Sequence, residues 1–466
     1  MNMTKNQKAF DRFVERNPHN HTGAFRRPDL TRRGFFQVAA GVGSALTGSF
    51  LMAPDAKGAD ITASGVTTIN KAENVIFVLL TGAPSHTDTF DLKVINGTTP
   101  SNFNPAMVNG VLWPTGLLPN MTKQLPNMAI VRSVQSWALV HSLAQTWTQI
   151  GRNPAAALGD IAPNIGSVVA IEKGKDGTIF PPFVGLNASS GAGEGYFSSK
   201  YAPFRVSYTG SNASAGIPNT SNSLGQTRYN SMFTQVGQID GALRQTQTPY
   251  TDYDSFYSAA NRMMYNSSVN QAFGYNAAES AAYGASGFGD ACLVAHKILK
   301  GNLGTRFVQI NFGSWDHHVD IYAPQNLPTM AKQLDEGYSQ LLTSLQADGL
   351  LDKTLVVVAG EFGRTVGPLT GSSGRDHWKQ QSILFAGAGV KGGRALGATD
   401  PTGAYTTDFG WSGQRYIKPE DVEATIYSAM GIDWTTVRYD DPFGRGFEYV
   451  PFSNQGLYMP INDLWS

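Results

Sequence analysis

The run Val75–Leu80 is apolar at every position, with no polar residue to mark a solvent-facing side. A strand of that kind is stable only inside a sheet covered on both faces, the usual situation of parallel strands with helical crossovers. Met128–Val131, Arg306–Asn311, Thr354–Ala359 and Ser382–Phe385 read as further buried strands. Met330, Leu334, Leu341, Leu342 and Leu345 repeat at helical spacing between two of them, which makes a strand–helix–strand unit. Helical patterns also cover His141–Gly151, Ile165–Glu172 and Pro419–Met430, the last with an acidic first turn and a glycine just beyond. The expected fold is α/β, a mainly parallel central sheet with helices on both faces.

Residues 187–290 break this rhythm. They are rich in Asn, Ser, Gly, Tyr and Ala and show no strong strand, and they read as an insertion of loops plus two helices over one end of the sheet. Tyr196, Tyr201, Tyr208 and Tyr253 would suit stacking on a carbohydrate, although tyrosines in such loops more often pack internally.

The first 59 residues read as an address rather than part of the fold. Arg32-Arg33-Gly34-Phe35-Phe36 opens a weakly apolar run to about Ala53, followed by a small-residue exit at Ala56–Ala59. The paired arginines resemble a twin-arginine export signal, which implies the export machinery as a partner and a periplasmic or secreted destination. The glycines and hydroxyls in the run argue for cleavage over a lasting membrane span. The remaining chain, 60–466, reads as one domain. The whole chain has 35 basic and 35 acidic residues, and loss of the first 59 leaves 26 and 31. That balance excludes a broad electrostatic claim on nucleic acid. A single cysteine, Cys292, excludes an internal disulfide or a multi-cysteine metal site and reads as core.

Ligands of open α/β sheets bind beyond the carboxyl ends of the strands. His and carboxylates gather at four such places: His86, Asp88 and Asp91; Asp316, His317, His318 and Asp320; Glu361, with Arg364 close by; and Asp376 with His377, beside Arg375. If the chain stays extended after Asn311, Asp316, His318 and Asp320 face one side and His317 the other. Imidazole with carboxylate suits a divalent metal, zinc or manganese first, with iron or calcium as alternatives.

The stretches Gly82–Asp91, Trp315-Asp316-His317-His318, Glu361-Phe362-Gly363-Arg364-Thr365 and Gly374-Arg375-Asp376-His377-Trp378 resemble the signature of the exported family called domain of unknown function 1501, from about Asn74 to Asp433. That family is more distantly similar to the alkaline phosphatase and sulfatase superfamily. The resemblance implies an alkaline phosphatase/sulfatase-like fold and metal-dependent hydrolysis of phosphate or sulfate esters. It implies Asp316, His318 and His377 as metal ligands, with Glu361 and His86 or Asp88 at a second position. Two positions depart from the superfamily pattern. Phe362 stands where a ligating histidine would be, and Thr81-Gly82 replaces paired aspartates after the first strand. In His141–Arg152 the spacing matches the nucleophile segment of sulfatases, with His141 in the nucleophile's place.

His141 therefore has three readings: a further ligand, a nucleophile, or an ordinary residue at a helix N-terminus, where an imidazolium is disfavoured. Ser142 is a fallback nucleophile in need of a base. Arg364 or Arg375 would grip the anionic group with a bidentate fork, or else anchor loops. The rival to a hydrolase of small-molecule or polymer esters is a non-catalytic exported binding protein on the same scaffold, recognising a polymer or partner protein.

Overall fold

The computed structural model describes residues 61–188, 191–208, 221, 223–246 and 258–466. The export segment and Tyr253 lie outside them. The side chains of the first long strand divide by parity. Ile76, Val78 and Leu80 enter one apolar core while Val75, Phe77 and Leu79 enter another on the opposite face. That two-sided burial is why the segment carries no polar position.

Eight strands form the main sheet: β1 (Asn74–Leu80), β2 (Met128–Gln135), β3 (Phe183–Leu186), β4 (Phe204–Val206), β5 (Phe307–Phe312), β6 (Thr354–Gly360), β7 (Gln380–Ala386) and β8 (Arg394–Leu396). Their spatial order is β8-β2-β7-β6-β1-β5-β3-β4. The sheet is mixed: β7 runs antiparallel to both β2 and β6, and the other neighbours pair in parallel. Helices α1 (His141–Ile150), α2 (Ile165–Lys173), α3 (Gly287–Gly301), α4 (Leu327–Ala347) and α5 (Pro419–Ala429) complete the layers. α3 and α4 fill the first core with side chains such as Leu293, Ile298, Leu334 and Leu341. α2 and α5 fill the other with Val168, Val169, Val422 and Ile426. Cys292 is buried on α3.

The middle segment departs from a reading of loops plus two helices: Phe204–Val206 extends the sheet as its edge, and Gln226–Thr246, Ser267–Phe273 and Ala277–Ala282 are all helical. Tyr201 and Tyr208 are buried, and Tyr196 packs against Phe197 and Phe447 and donates to Asp440, so these three rings are committed to packing. No helix among the described residues is long and apolar enough to cross a membrane.

Strand direction builds the site. β1, β5 and β6 end level with one another, Leu80 opposite both Phe312 and Gly360. β2 ends at the same edge and leads into α1. β7 runs the other way, so the edge receives its start, and with it the segment 374–378.

Candidate metal centre

Five strand ends meet at that edge: those of β1, β2, β5 and β6, and the start of β7. Gly82 follows β1 with φ +99°, and a Cβ there would lie 2.7 Å from the Asp316 nitrogen and 2.8 Å from that of Trp315. Only glycine lets the loop after β5 come this close. The loop does not continue as a strand: 313–317 is irregular, and Asp320 has φ +45°. Burial still alternates, with Trp315 and His317 inward and Asp316 and His318 toward the open side. After β6, Glu361 and Phe362 are buried, and the chain turns into a short antiparallel pair in which Arg364 lies opposite His377.

His141, Asp316, His318 and His377 thereby come together, each with one ligand-type atom within 4.8 Å of those of the others. His318 Nε2 is 2.9 Å from Asp316 Oδ1 and 3.0 Å from His377 Nε2, and His141 Nε2 is 3.4 Å from the same carboxylate oxygen. The opposite nitrogen of each ring has its own partner. His141 Nδ1 is 2.7 Å from Glu361 Oε1, His318 Nδ1 is 2.8 Å from Asp376 Oδ1, and His377 Nδ1 is 2.7 Å from the Leu139 carbonyl. Each partner accepts a hydrogen bond from Nδ1–H, which leaves the Nε2 lone pair facing inward, as metal-bound histidines are commonly oriented. The Phe362 ring lies 4.8 Å from His141 and 4.6 Å from His377, whose imidazoles meet edge-on at 4.5 Å, so the non-ligating residue packs against both of them.

Glu361 Oε1 also accepts from the Gly82 nitrogen at 2.9 Å and Gln145 Nε2 at 3.0 Å, while its Oε2 is buried without a hydrogen-bond partner among the described residues. Its hydrogen bond raises the His141 pKa above the ordinary value, outweighing the lowering by burial. The expectation that the helix N-terminus would disfavour the imidazolium is thus overridden by a carboxylate. Burial lowers the pKa of His377. Burial works against ionisation of Asp316, but the hydrogen bond and charge of Arg364 prevail and hold it below the usual range.

Three other predicted site residues stand elsewhere. Arg375 is 1% exposed and holds Asp88 through Nε at 2.6 Å, with further bonds to Tyr322 and the carbonyls of Thr365 and Gly367. Asp88 also accepts from Ser85 and Tyr322. The pair is a buried strut and is corrected from ligand and anion fork to architecture. His86 is buried as well, 2.9 Å from the Gly403 carbonyl, and is corrected in the same way. Arg364 does reach the centre, 2.6 Å from Asp316 Oδ1 and 3.3 Å from His318 Nε2. Its other donors go to the carbonyls of Gly82, Ala83 and Arg375, so it pins the ligand set instead of offering an open fork. Asp376 was missed by sequence reasoning as an orienting group; a carboxylate beside a candidate histidine was its only signal.

The donor set fits a divalent cation. Three imidazoles presenting Nε2 and one carboxylate make a four-donor set of borderline type. Asp316, Glu361 and Asp376 against Arg364 leave a formal charge of about −2 with neutral histidines, matching a dication. His141 Nε2 is buried without a hydrogen-bond partner among the described residues, as expected of a nitrogen reserved for a ligand bond.

Fold and site together define an α/β sheet protein with a candidate His/Asp metal centre at the carboxyl edge of its strands. The chain belongs to the family described as Protein of unknown function (DUF1501), whose model matches residues 72–451. No curated protein matches it. Among solved structures it is similar to Ps i-CgsB (10% identity, 83% of this chain and 77% of that one, TM-score 0.40). It is also similar to the lipoteichoic acid synthase LtaP from Listeria monocytogenes (11%, 82% and 77%, 0.36). A third is the PsFucS1 sulfatase from Pseudoalteromonas sp. (12%, 78% and 68%, 0.36).

Proposed function

We propose that the protein is an exported, metal-dependent hydrolase of phosphate or sulfate esters. The observation that carries this reading is the convergence of three Nε2 atoms on Asp316, each imidazole being held from behind through Nδ1. His141, Asp316, His318 and His377 would hold the ion, zinc or manganese being favoured by the donor types. When bound, it supplies Lewis-acid polarisation of the ester oxygens and lowers the pKa of a water.

The chain's own groups do the positioning. Glu361, Asp376 and the Leu139 carbonyl fix the three rings, and Arg364 fixes the Asp316 carboxylate. The Ser142 hydroxyl has no base beside it among the described residues, so the serine route has no activating partner. His141 is spoken for by Glu361 on one side and the ligand set on the other, which favours the ligand role over the nucleophile. Residues 1–59 direct the protein to the twin-arginine machinery and the periplasm or exterior in this reading.

A second reading, a non-catalytic binding protein on the same scaffold, draws on Arg364: its spent donors leave no open guanidinium to grip an anionic ester. Elemental analysis of protein purified without chelator, followed by a screen of phosphate and sulfate esters, tests both. Near-stoichiometric metal with hydrolysis lost in His318→Ala and His377→Ala supports the enzyme. A folded protein that neither contains nor takes up metal rejects it. Metal without turnover, and with partner binding kept in those variants, supports the scaffold.

A further inference from the structure

A cleft of about 570 Å³ opens directly from His141 and Asp316. One wall is a single face of α1, where Ser142, Gln145, Thr146 and Gln149 recur at helical spacing. Across it stand Asn311 and Ser314, from the end of β5 and the loop beyond it, with Thr81 between. Among the described residues its lining holds no lysine or arginine, no phenylalanine, tyrosine or tryptophan, and no aliphatic side chain. Among the described residues its charged or titratable lining groups are His141 and Asp316.

The amides are oriented from beneath. Gln309 Nε2 donates to Asn311 Oδ1 at 2.8 Å and to Gln149 Oε1 at 3.0 Å, and Gln309 Oε1 accepts from Asn164 at 3.0 Å. The acceptor of Asn311 is therefore committed inward and its Nδ2 remains for the cleft. Gln145 is turned the opposite way, its Nε2 donating to Glu361 and its side-chain Oε1 left over. The hydroxyls of Thr81, Ser142 and Ser314 rotate to donate or accept.

We propose that this cleft binds the alcohol portion of the substrate and that this portion is a neutral saccharide. The inference rests on the hydrolase reading for which group is cleaved, but not for what the cleft binds. Each sugar hydroxyl both donates and accepts, which matches a wall of one fixed donor, one fixed acceptor and several rotors. A nucleotide would call for cations or a stacking ring. A lipid chain would call for an apolar wall. An extended peptide would call for a free strand edge, whereas the cleft is bordered by strand ends and a helix.

The test measures binding directly, by saturation-transfer NMR and calorimetry on the purified full chain, with and without chelator. The probes are neutral trisaccharides of hexose and of N-acetylhexosamine, beside a nucleoside monophosphate and a fatty acid. At least one trisaccharide is expected to bind, and Asn311→Leu to weaken it about three- to tenfold, the worth of one hydrogen bond. Ser142→Ala, at an exposed position, is expected to weaken it about threefold and guards against a folding defect in the first variant. No binding by any trisaccharide, equal binding to wild type and both variants, or preference for the nucleotide or fatty acid would overturn the proposal. Because no turnover is read, saccharide binding without hydrolysis would count against the enzyme reading alone.

Discussion

Glu361→Gln separates orientation of the metal ligands from simple packing. Glu361 is fully buried, and one oxygen accepts from the Gly82 nitrogen, His141 Nδ1 and Gln145 Nε2, at 2.9, 2.7 and 3.0 Å. Glutamine has the same shape, so no cavity opens. If its oxygen takes the same place, three charge-assisted bonds become neutral ones, each weaker by about 1 kcal/mol. Relief of a buried charge whose second oxygen has no hydrogen-bond partner among the described residues offsets part of that loss. If the amide turns over, its NH2 faces His141 Nδ1 and forces the proton onto Nε2, which removes the inward lone pair. Both outcomes weaken the metal site, by about ten- to a hundredfold, or roughly 1.4–2.7 kcal/mol. The change in fold stability should be smaller, roughly 0–2 kcal/mol. Competition with a chromogenic chelator gives the metal affinity, and thermal melting of the metal-free protein gives the stability. Wild-type metal affinity in the variant would refute the orienting role, and a lowered melting point with unchanged affinity would reduce Glu361 to a packing residue.

Arg375→Met removes the cation from Asp88 and should cost about 3–5 kcal/mol, as for a broken buried pair; melting should reveal it while metal content per folded molecule stays the same. Gly82→Ala puts a methyl against two backbone nitrogens at a left-handed φ, and about 2–4 kcal/mol should be lost together with metal binding; a stable variant with wild-type affinity would show that the loop has room to move. Burial pushes the Glu423 carboxyl up to about 8 in spite of the nearby Arg152, and Glu420 up to about 7. Their protonated forms thus favour the native state. That stability is fully present below the ordinary carboxyl range and is lost as pH rises through about 7 to 8. Melting temperature should therefore fall between pH 5 and about 8, and more gently in Glu423→Gln; equal slopes in the two proteins would contradict the assignment.

The parts of this fold that could be read in advance are those where one local pattern meets one environment. An unbroken apolar run such as Val75–Leu80 has only the two-faced interior of a sheet to occupy, and the stripe from Met330 to Leu345 needs a single apolar partner surface. Phe204–Val206 escaped because three residues at a sheet edge, within an Asn- and Ser-rich stretch, carry no periodicity to detect. The reversed direction of β7 also left no local trace, since strand direction is set by the neighbours it pairs with. At the site, position after strand ends picked out Asp316, His318, His377 and Glu361, with His86 and Asp88, as neighbours of one edge, and the resemblance to the sulfatase nucleophile segment added His141. It could not say which way they face. The chain after β1 turns left-handed at Gly82 and drops His86 and Asp88 into a buried turn, where Arg375 awaits the carboxylate. The chain before β7 sends Arg375 inward and holds His377 toward the centre, though the two are separated by a single residue. In the loop after β5 the alternation of burial outlasted the strand, so Asp316 and His318 share the open side although the chain there is not extended. Proximity to an edge is thus a property of sequence order. Ligand or strut is decided by the turn just beyond the strand, and at Gly82 that turn depends on the absence of one methyl group.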